Sequence, residues 1–385
     1  MEPSQPAAAP AQKRLIFIDA VRAFAILMML QGHFIDTLLA DTYRNPASPA
    51  FSIWEFMRGL TAPIFFTASG IIFVFLLLRD GRPIKENTRV KKGLRRGFFL
   101  LFLGYLLKWN ISALIWFKVY QSFITVDVLH CIGLAILALV CLYILARTAR
   151  LPYPLLLLAS AFGVFVLYPF MKQSDWSGVP LFFQNYLTRD NGSVFTPIPW
   201  IGFTLLGGGI GWHVHRYTSW YRTAWSGIPV FLLGVLLHYY SYQIADMPWK
   251  TLGYLAFKDL STNHWILWRF GHALITISLF IWLSQLFYRY IPQLFLTIGT
   301  ETLTIYCVHY VLLYGTWTGV GIKQIVGERS LSPWEAVFGA VCFIAAFVLM
   351  VYKLEAIRSW IDREITHRVV RGIRFLRLKA GGFRR

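Results

Sequence analysis

Hydrophobic residues are arranged along the chain in long blocks that short polar segments separate. A helix needs roughly 18–20 such residues to cross the hydrocarbon core of a bilayer. The blocks predict ten spans, over residues 15–39, 52–78, 97–117, 127–146, 152–170, 197–215, 225–245, 264–287, 294–318 and 334–352. The strict alternation that marks an outer-membrane barrel is absent from the sequence. We therefore predict an all-α polytopic membrane protein, a bundle of about ten transmembrane helices.

Composition supports this class. Of the 385 residues, 57% are hydrophobic and only 14% are charged, which is too apolar for a soluble globular protein. The net charge of +19 suggests nucleic acid at first sight, but the basic residues gather in short loops, as cytoplasmic loops of membrane proteins require. We expect no nucleic-acid partner. The four cysteines lie in apolar blocks without metal-ligand spacing, so we expect no metal site.

The loops predict the topology. Basic residues fill 79–96, recur near 147–150, 216–222 and 289, and dominate the tail, whereas 40–51, 171–196 and 246–263 are richer in Asp, Asn, Ser, Pro and Trp. This alternation places both termini in the cytoplasm of a cell (inner or plasma) membrane. We expect a disordered tail over 1–13, a transmembrane domain over 14–353, and a basic amphipathic cytoplasmic tail over 354–385.

The first block carries three ionisable residues, Asp19, Arg22 and His33. At 3.6 residues per turn they share one helix face, to within about 40°. A charge at mid-bilayer costs at least roughly 2.5–3.5 kcal/mol, so such residues are functional candidates. Asp19 and Arg22 either form an ion pair that fixes the helix or meet an anionic substrate. The topology places them near the cytoplasm and His33 near the opposite face.

Histidine titrates near neutrality and can take a proton from a hydroxyl or amine, so His33 is the leading candidate for a catalytic base. Its alternative is an interface hydrogen bond. Asp127 and His130 open the fourth block at i,i+3 spacing, where they either assist His33 or cap the helix. Arg58 lies on the same side, where it either stabilises developing oxyanion charge or extends to the interface.

Two further ionisable residues lie inside blocks: Lys108 midway along the third and His309 deep in the ninth. Each is expected to face a partner or a cavity. Arg95 and Arg96 belong to the basic cluster before the third block. The cluster is mainly a topology signal, but it is also placed to meet the phosphates of a coenzyme A carrier. The glycines 207–209 are expected to permit close helix packing.

The segment 14–33 resembles the first helix of the membrane acyltransferases, which include the acyltransferase-3 and heparan-alpha-glucosaminide N-acetyltransferase-like groups. It has the Arg, the Asp-x-x-Arg and the distant histidine, with Ala23 in place of the usual glycine. The segments 61–70, 128–135, 197–207 and 299–309 are similar to the glucosaminide N-acetyltransferase-like branch in the same order. Glu301 departs from the amide or small polar residue expected there.

The resemblance implies transfer of an acyl group, expected to be acetyl, from cytoplasmic acyl-CoA to an extracytoplasmic acceptor such as a sugar or glycan hydroxyl or amine. It makes His33 the catalytic histidine, which acts as general base or forms a transient acyl-imidazole, and it makes Arg22 a motif residue. The expected partners are the bilayer, the acyl-CoA donor and the glycan, and a homodimer is left open. The alternative is a transporter or flippase for a polar or anionic substrate, whose path would be lined by Asp19, Arg22, Lys108 and His309.

Overall fold

The computed structural model describes residues 15–111, 115–118 and 120–361. The predicted disordered segment 1–13 and residues 362–385 of the predicted tail lie outside this part of the chain. Within it the chain forms fifteen α-helices: α1 (Ile16–Leu38), α2 (Pro49–Arg58), α3 (Thr61–Leu78), α4 (Thr88–Lys108), α5 (Val128–Thr148), α6 (Tyr153–Gln173), α7 (Leu181–Leu187), α8 (Pro197–Arg216), α9 (Gly227–Leu252), α10 (Trp265–Leu286), α11 (Gln293–Thr300), α12 (Thr302–Tyr314), α13 (Ile322–Val326), α14 (Pro333–Tyr352) and α15 (Leu354–Ile361).

The all-α polytopic class is confirmed, but the number of ten spans is not. Among the described residues, seven helical segments are long and apolar enough to cross a membrane, and eight if the bent pair α11–α12 is one span. Helices α4 and α8 occupy two of the predicted blocks without meeting that criterion. The first half of α4 is strongly basic, and α8 is rich in glycine and ends in two histidines and an arginine.

Helix α4 corrects the third predicted block, 97–117. The side chain of Asn87 accepts hydrogen bonds from the backbone N–H groups of Arg89 and Val90, at 2.8 and 3.0 Å. This N-cap starts the helix about nine residues early, so Arg95 and Arg96 lie in the helix and not in a loop. Lys108 is accordingly the last residue of α4, at its C-terminal end, and not midway along a span.

The loop before α4 is organised by Asp80. Its carboxylate accepts hydrogen bonds from the Arg82 guanidinium at 2.8 Å and from the backbone N–H of Thr88 at 2.9 Å. These bonds, with that from Arg82 the strongest, hold the pKa of the Asp80 carboxyl well below its usual range. The loop therefore keeps a charged carboxylate at the start of α4.

The ninth block, predicted as one helix over 294–318, is broken at Glu301. Helices α11 and α12 meet there at 74°. Thr304 donates a hydrogen bond to the Glu301 carboxylate at 2.9 Å, and Arg358 of α15 pairs with it at 2.7 Å. The Glu301 carboxylate stands where an amide or small polar residue was expected, and its ion pair with Arg358 holds α15 against the bend. The predicted loop 171–196 also differs from expectation, because it contains α7.

Glycines bring α3 and α8 into backbone contact, and Gly207 is one of the three glycines predicted to permit close packing. A Cβ added at Gly70 would lie 2.0 Å from the Thr204 carbonyl oxygen, and one at Gly207 would lie 2.1 Å from the Thr67 carbonyl oxygen. No side chain fits at either position. Helix α1 packs among α3, α10, α11, α12 and α14 and is therefore central to the bundle.

Candidate functional site

The ionisable residues on the polar face of α1 lie near the two opposite ends of the helix. Near its N-terminus, Asp19 is buried, Arg22 Nη1 lies 3.7 Å from Asp19 Oδ1, and Arg22 Nη2 donates to Thr302 Oγ1 at 3.0 Å. The ion pair is present and ties α1 to the first residue of α12. Arg22 and His33 are eleven residues apart, which is about 16 Å along the helix axis. The pair and the histidine therefore serve different regions of the bundle.

His33 is held from one side by α12. Its Nδ1 lies 2.6 Å from the Tyr314 hydroxyl oxygen, which is a short hydrogen bond. Its ring contacts His309 edge-on, with 5.2 Å between centroids. His33 is half-buried, in contrast to the fully buried His309. With Nδ1 engaged, Nε2 is the nitrogen left to meet a substrate.

A stripe of aromatic residues on α12 extends this contact. Tyr306, Tyr310 and Tyr314 are spaced four residues apart, and neighbouring rings lie 5.8 and 4.9 Å apart. His309 packs between His33 and Tyr306, the latter at 5.0 Å. Neither ring nitrogen of His309 has a hydrogen-bond partner of ordinary geometry among the described residues, and the ring has only weaker interactions with the backbone of Ile305 and Tyr306. A buried polar group in that state costs about 1–3 kcal/mol, so it is a natural contact for a bound substrate.

Asp127 joins this stripe to α4 and α5. Its Oδ2 accepts a hydrogen bond from the Tyr306 hydroxyl at 3.1 Å and lies 4.0 Å from Lys108 Nζ. Lys108 also donates to Thr125 Oγ1 at 2.7 Å. The opposite charge of Lys108 explains how a carboxylate is tolerated at a buried position. Of the two predicted roles for Asp127, the structure shows the cap: its Oδ1 accepts from the Val128 N–H at 2.6 Å.

His130 completes that cap and does not contact His33 directly. Its Nδ1 accepts from the backbone N–H of Asp127 at 3.1 Å. Its ring packs on Tyr105 at 4.2 Å, and it fits there because a Cβ at Gly104 would lie 2.6 Å away. Asp127 and His130 therefore belong to the same polar cluster as His33, reached through Tyr306 and His309.

Arg58 lies at the rim of the site. It packs beside Gly32, but its guanidinium pairs with Asp36 at 2.6 Å. Asp36 also meets Arg44 at 3.2 Å. The side chain of Arg58 is 43% exposed. The structure thus brings together His33, His309, Lys108, Asp127 and His130, and it places Arg58 at their edge, engaged with another carboxylate.

The remaining predicted residues lie at the other end of the bundle. Arg95 and Arg96 are exposed on the first half of α4. Thirteen residues separate Arg95 from Lys108, which is about 20 Å along the helix. Together with Asp19 and Arg22 they mark a basic region remote from His33.

Sequence reasoning missed the tyrosines of α12 and the rim carboxylate Asp36. The tyrosines have no role in the sequence prediction, because tyrosines are enriched at the membrane–water interface and are not a site signal by themselves. Their four-residue spacing around His309 was the available signal, since it places them on one helix face next to a buried histidine.

A bundle of apolar helices that encloses histidines, tyrosines and one carboxylate–lysine pair is the architecture of a multi-pass membrane protein with a polar cluster inside the bundle. Comparison with known families agrees: the sequence model of heparan-alpha-glucosaminide N-acetyltransferase, catalytic, matches residues 14–247. The chain belongs to this family and is a multi-pass membrane acyltransferase. It matches none of the curated proteins with which it was compared.

Proposed function

We propose that this protein transfers an acetyl group from acetyl-CoA to a hydroxyl or amine of a glycan, with His33 as general base. The observation that carries the proposal is the half-buried His33 imidazole, oriented by the Tyr314 hydroxyl at 2.6 Å, in a chain of an acetyltransferase family. A base must be both oriented and within reach of the substrate. The contact with Tyr314 supports the orientation of His33, and its partial exposure supports access.

The chemistry follows from the two ring nitrogens. With Nδ1–H donating to the Tyr314 oxygen, the lone pair of His33 Nε2 accepts the proton of the acceptor O–H or N–H. The freed oxygen or nitrogen forms a bond to the acyl carbon, and the carbon–sulfur bond breaks. The Nε2 proton then passes to the leaving thiolate, so His33 ends the cycle neutral. Tyr314 keeps the ring in one orientation throughout.

His309 is the group we assign to the acyl oxygen. Its ring lies 5.2 Å from that of His33, and its nitrogens make no hydrogen bond of ordinary geometry among the described residues. A ring N–H aimed at the developing oxyanion stabilises the transition state. We give this role to His309 and not to Arg58, because the Arg58 guanidinium is paired with Asp36. The Lys108–Asp127 pair positions the α12 stripe through Tyr306.

The donor is proposed to approach from the cytoplasm. The basic residues Arg95, Arg96 and Arg22 lie at the end of the bundle opposite His33 and suit the phosphates of coenzyme A. Lys108 was predicted to guide coenzyme A, but it lies at the His33 end of the bundle. We assign it the role of pairing with the Asp127 carboxylate. The loop charges favour a cell membrane location with both termini cytoplasmic and the glycan on the other side.

The test is acetyl transfer by purified protein in nanodiscs, with radiolabelled acetyl-CoA and a glucosamine-terminated oligosaccharide. We expect His33→Ala to lower kcat by about 100-fold or more, the usual contribution of a general base. His215→Ala is the matched control, since His215 is also half-buried on a helix but packs on Phe75, away from the site. Full activity of His33→Ala refutes the mechanism.

A second preparation, the purified protein in sealed vesicles, separates the enzyme from the transporter that the sequence left open. The bent pair α11–α12 is a feature that some transporters share, so the comparison is needed. In sealed vesicles without acetyl-CoA, an acyltransferase leaves the acceptor where it was added and unmodified. Movement of unmodified acceptor across the membrane would establish a transporter and overturn the proposal.

A further inference from the structure

The Asp36 carboxylate lies one turn beyond His33, at the same end of α1, and two arginines hold it. Its Oδ2 accepts a hydrogen bond from the Arg58 guanidinium at 2.6 Å, and its Oδ1 accepts one from Arg44 Nη1 at 3.2 Å. The side chain of Asp36 is nevertheless 37% exposed. Each carboxylate oxygen can accept two hydrogen bonds, so each oxygen of Asp36 can take one more donor from a ligand.

The stability of the helix does not explain this carboxylate. Asp36 lies in the last turn of α1, where the carbonyl end of the helix dipole disfavours a negative charge. A half-exposed ion pair, such as that with Arg58, contributes only about 0–1 kcal/mol. Arg44 binds the end of α1 without the carboxylate, because it also donates to the backbone carbonyls of Asp36 and Leu39. A role in binding explains the carboxylate better than a role in folding.

Arg58 is itself fixed, so it holds Asp36 in one place. Its Cγ lies 3.5 Å from the position of a Cβ added at Gly32, and its guanidinium carbon lies 5.8 Å from the centre of the Trp54 ring. The Trp54 indole in turn donates to Gln31 Oε1 at 2.9 Å. The carboxylate therefore has a defined orientation before any ligand binds, which lowers the entropic cost of binding.

Asp36 and His33 border the same part of the site. They are three residues apart, which is about 4.5 Å along the helix axis and about 60° around it. The charges of Asp36 and Arg58 both act on His33 and on Tyr314. His33 and Asp36 are both partly exposed, and a single sugar ring is long enough to contact the two side chains at once.

We propose that Asp36 binds two neighbouring hydroxyl groups of the acceptor sugar and so positions the reactive hydroxyl or amine at His33 Nε2. This rests on the proposed acetyltransferase function. Each hydroxyl donates to one carboxylate oxygen, in charge-assisted hydrogen bonds that are stronger than those between neutral groups. Arg44 and Arg58 hold the carboxylate from the other side. The acceptor is thereby a sugar with two free neighbouring hydroxyl groups beside the group that is acetylated.

The experiment compares two acceptors: a glucosamine-terminated oligosaccharide, and the same oligosaccharide whose terminal ring lacks the hydroxyl groups at carbons 3 and 4. With the native protein, we expect kcat/KM to be about 10- to 100-fold lower for the deoxy acceptor, the usual effect of a lost hydrogen bond to a charged group. With Asp36→Ala, the parent acceptor should lose the same factor, and the two acceptors should differ by less than about threefold. If Asp36→Ala lowers kcat/KM equally for both acceptors, the carboxylate only supports the fold and the inference is overturned.

Asp41→Ala is the matched control. Asp41 also pairs with Arg44, at 3.5 Å, but it lies in the loop after α1 and is 61% exposed. The native discrimination between the two acceptors should persist in this variant. Its loss in Asp41→Ala would show that any carboxylate of this charged loop has the same effect, and would contradict the assignment to Asp36.

Equilibrium dialysis of the two radiolabelled acceptors without acetyl-CoA tests binding apart from turnover. The native protein should bind the parent acceptor at least about tenfold more tightly than the deoxy acceptor, and this comparison needs no variant to fold. Equal dissociation constants overturn the inference. If no acceptor is acetylated, the proposed function fails instead, and the dialysis still decides whether the sugar binds through its hydroxyl pair.

Discussion

Replacement of Gly207 by alanine should destabilise the protein, although alanine is the better helix former. The added Cβ would lie 2.1 Å from the Thr67 carbonyl oxygen, where ordinary contact begins at 3.4 Å. Helices α3 and α8 must then separate by about 1.3 Å, since no side chain can rotate away. Such overpacking costs about 1–3 kcal/mol. The gain in helix propensity offsets at most about 1 kcal/mol of this.

Gly209 is the matched control two residues further along the same helix. A Cβ there meets only the Leu158 side chain, at 3.8 Å. Gly209→Ala should therefore stabilise the protein by up to about 1 kcal/mol through propensity alone. The assay is equilibrium unfolding in mixed micelles with increasing fractions of denaturing detergent. A change of the same sign for both variants would refute the backbone contact between α3 and α8.

Three further changes probe the site and the loop before α4. Tyr314→Phe should lower kcat at least about tenfold with little change in KM, because His33 loses the partner that orients it; steady-state kinetics with unchanged kcat would contradict this. Tyr306→Phe should lower the free energy of unfolding by about 1–3 kcal/mol, since Asp127 loses a buried hydrogen bond, and an unchanged unfolding midpoint would count against it. Asp80→Asn should be less stable than the native protein above about pH 5, and the difference should shrink as the pH falls below about 4, because the depressed pKa stabilises only the charged carboxylate. A pH-independent difference would argue against that ion pair.

Hydropathy located the helices well where apolar residues run to the ends of a span. Helix α14 begins and ends within a residue of its predicted block, and α1 does the same. Hydropathy misplaced the start of α4, because it assigned the basic residues before the apolar block to a loop. The side chain of Asn87 instead caps the helix and sets where it starts. Long basic side chains are compatible with a helix end, since they reach water at the interface.

The break at Glu301 and the partners of His33 needed the tertiary structure. No proline marks the bend between α11 and α12, so the sequence predicted one continuous helix through this block. The spacing of ionisable groups on α1 and the family resemblance indicated His33. The contact with Tyr314 joins residues 281 positions apart, and periodicity shows which residues share a face but not which helix that face meets.

The bend at Glu301 also bears on the thickness of the hydrocarbon core beside α11 and α12. Helices α11 and α12 have eight and thirteen residues, and with a 74° bend they reach about 26 Å from end to end. This is less than the roughly 30 Å of a hydrocarbon core, even in the most upright placement. If the pair forms one span, the bilayer thins locally or water enters beside the Glu301 carboxylate. Either response would shorten the apolar path between the basic end of the bundle and His33, and so, in the proposed reaction, the distance over which the acyl group is carried.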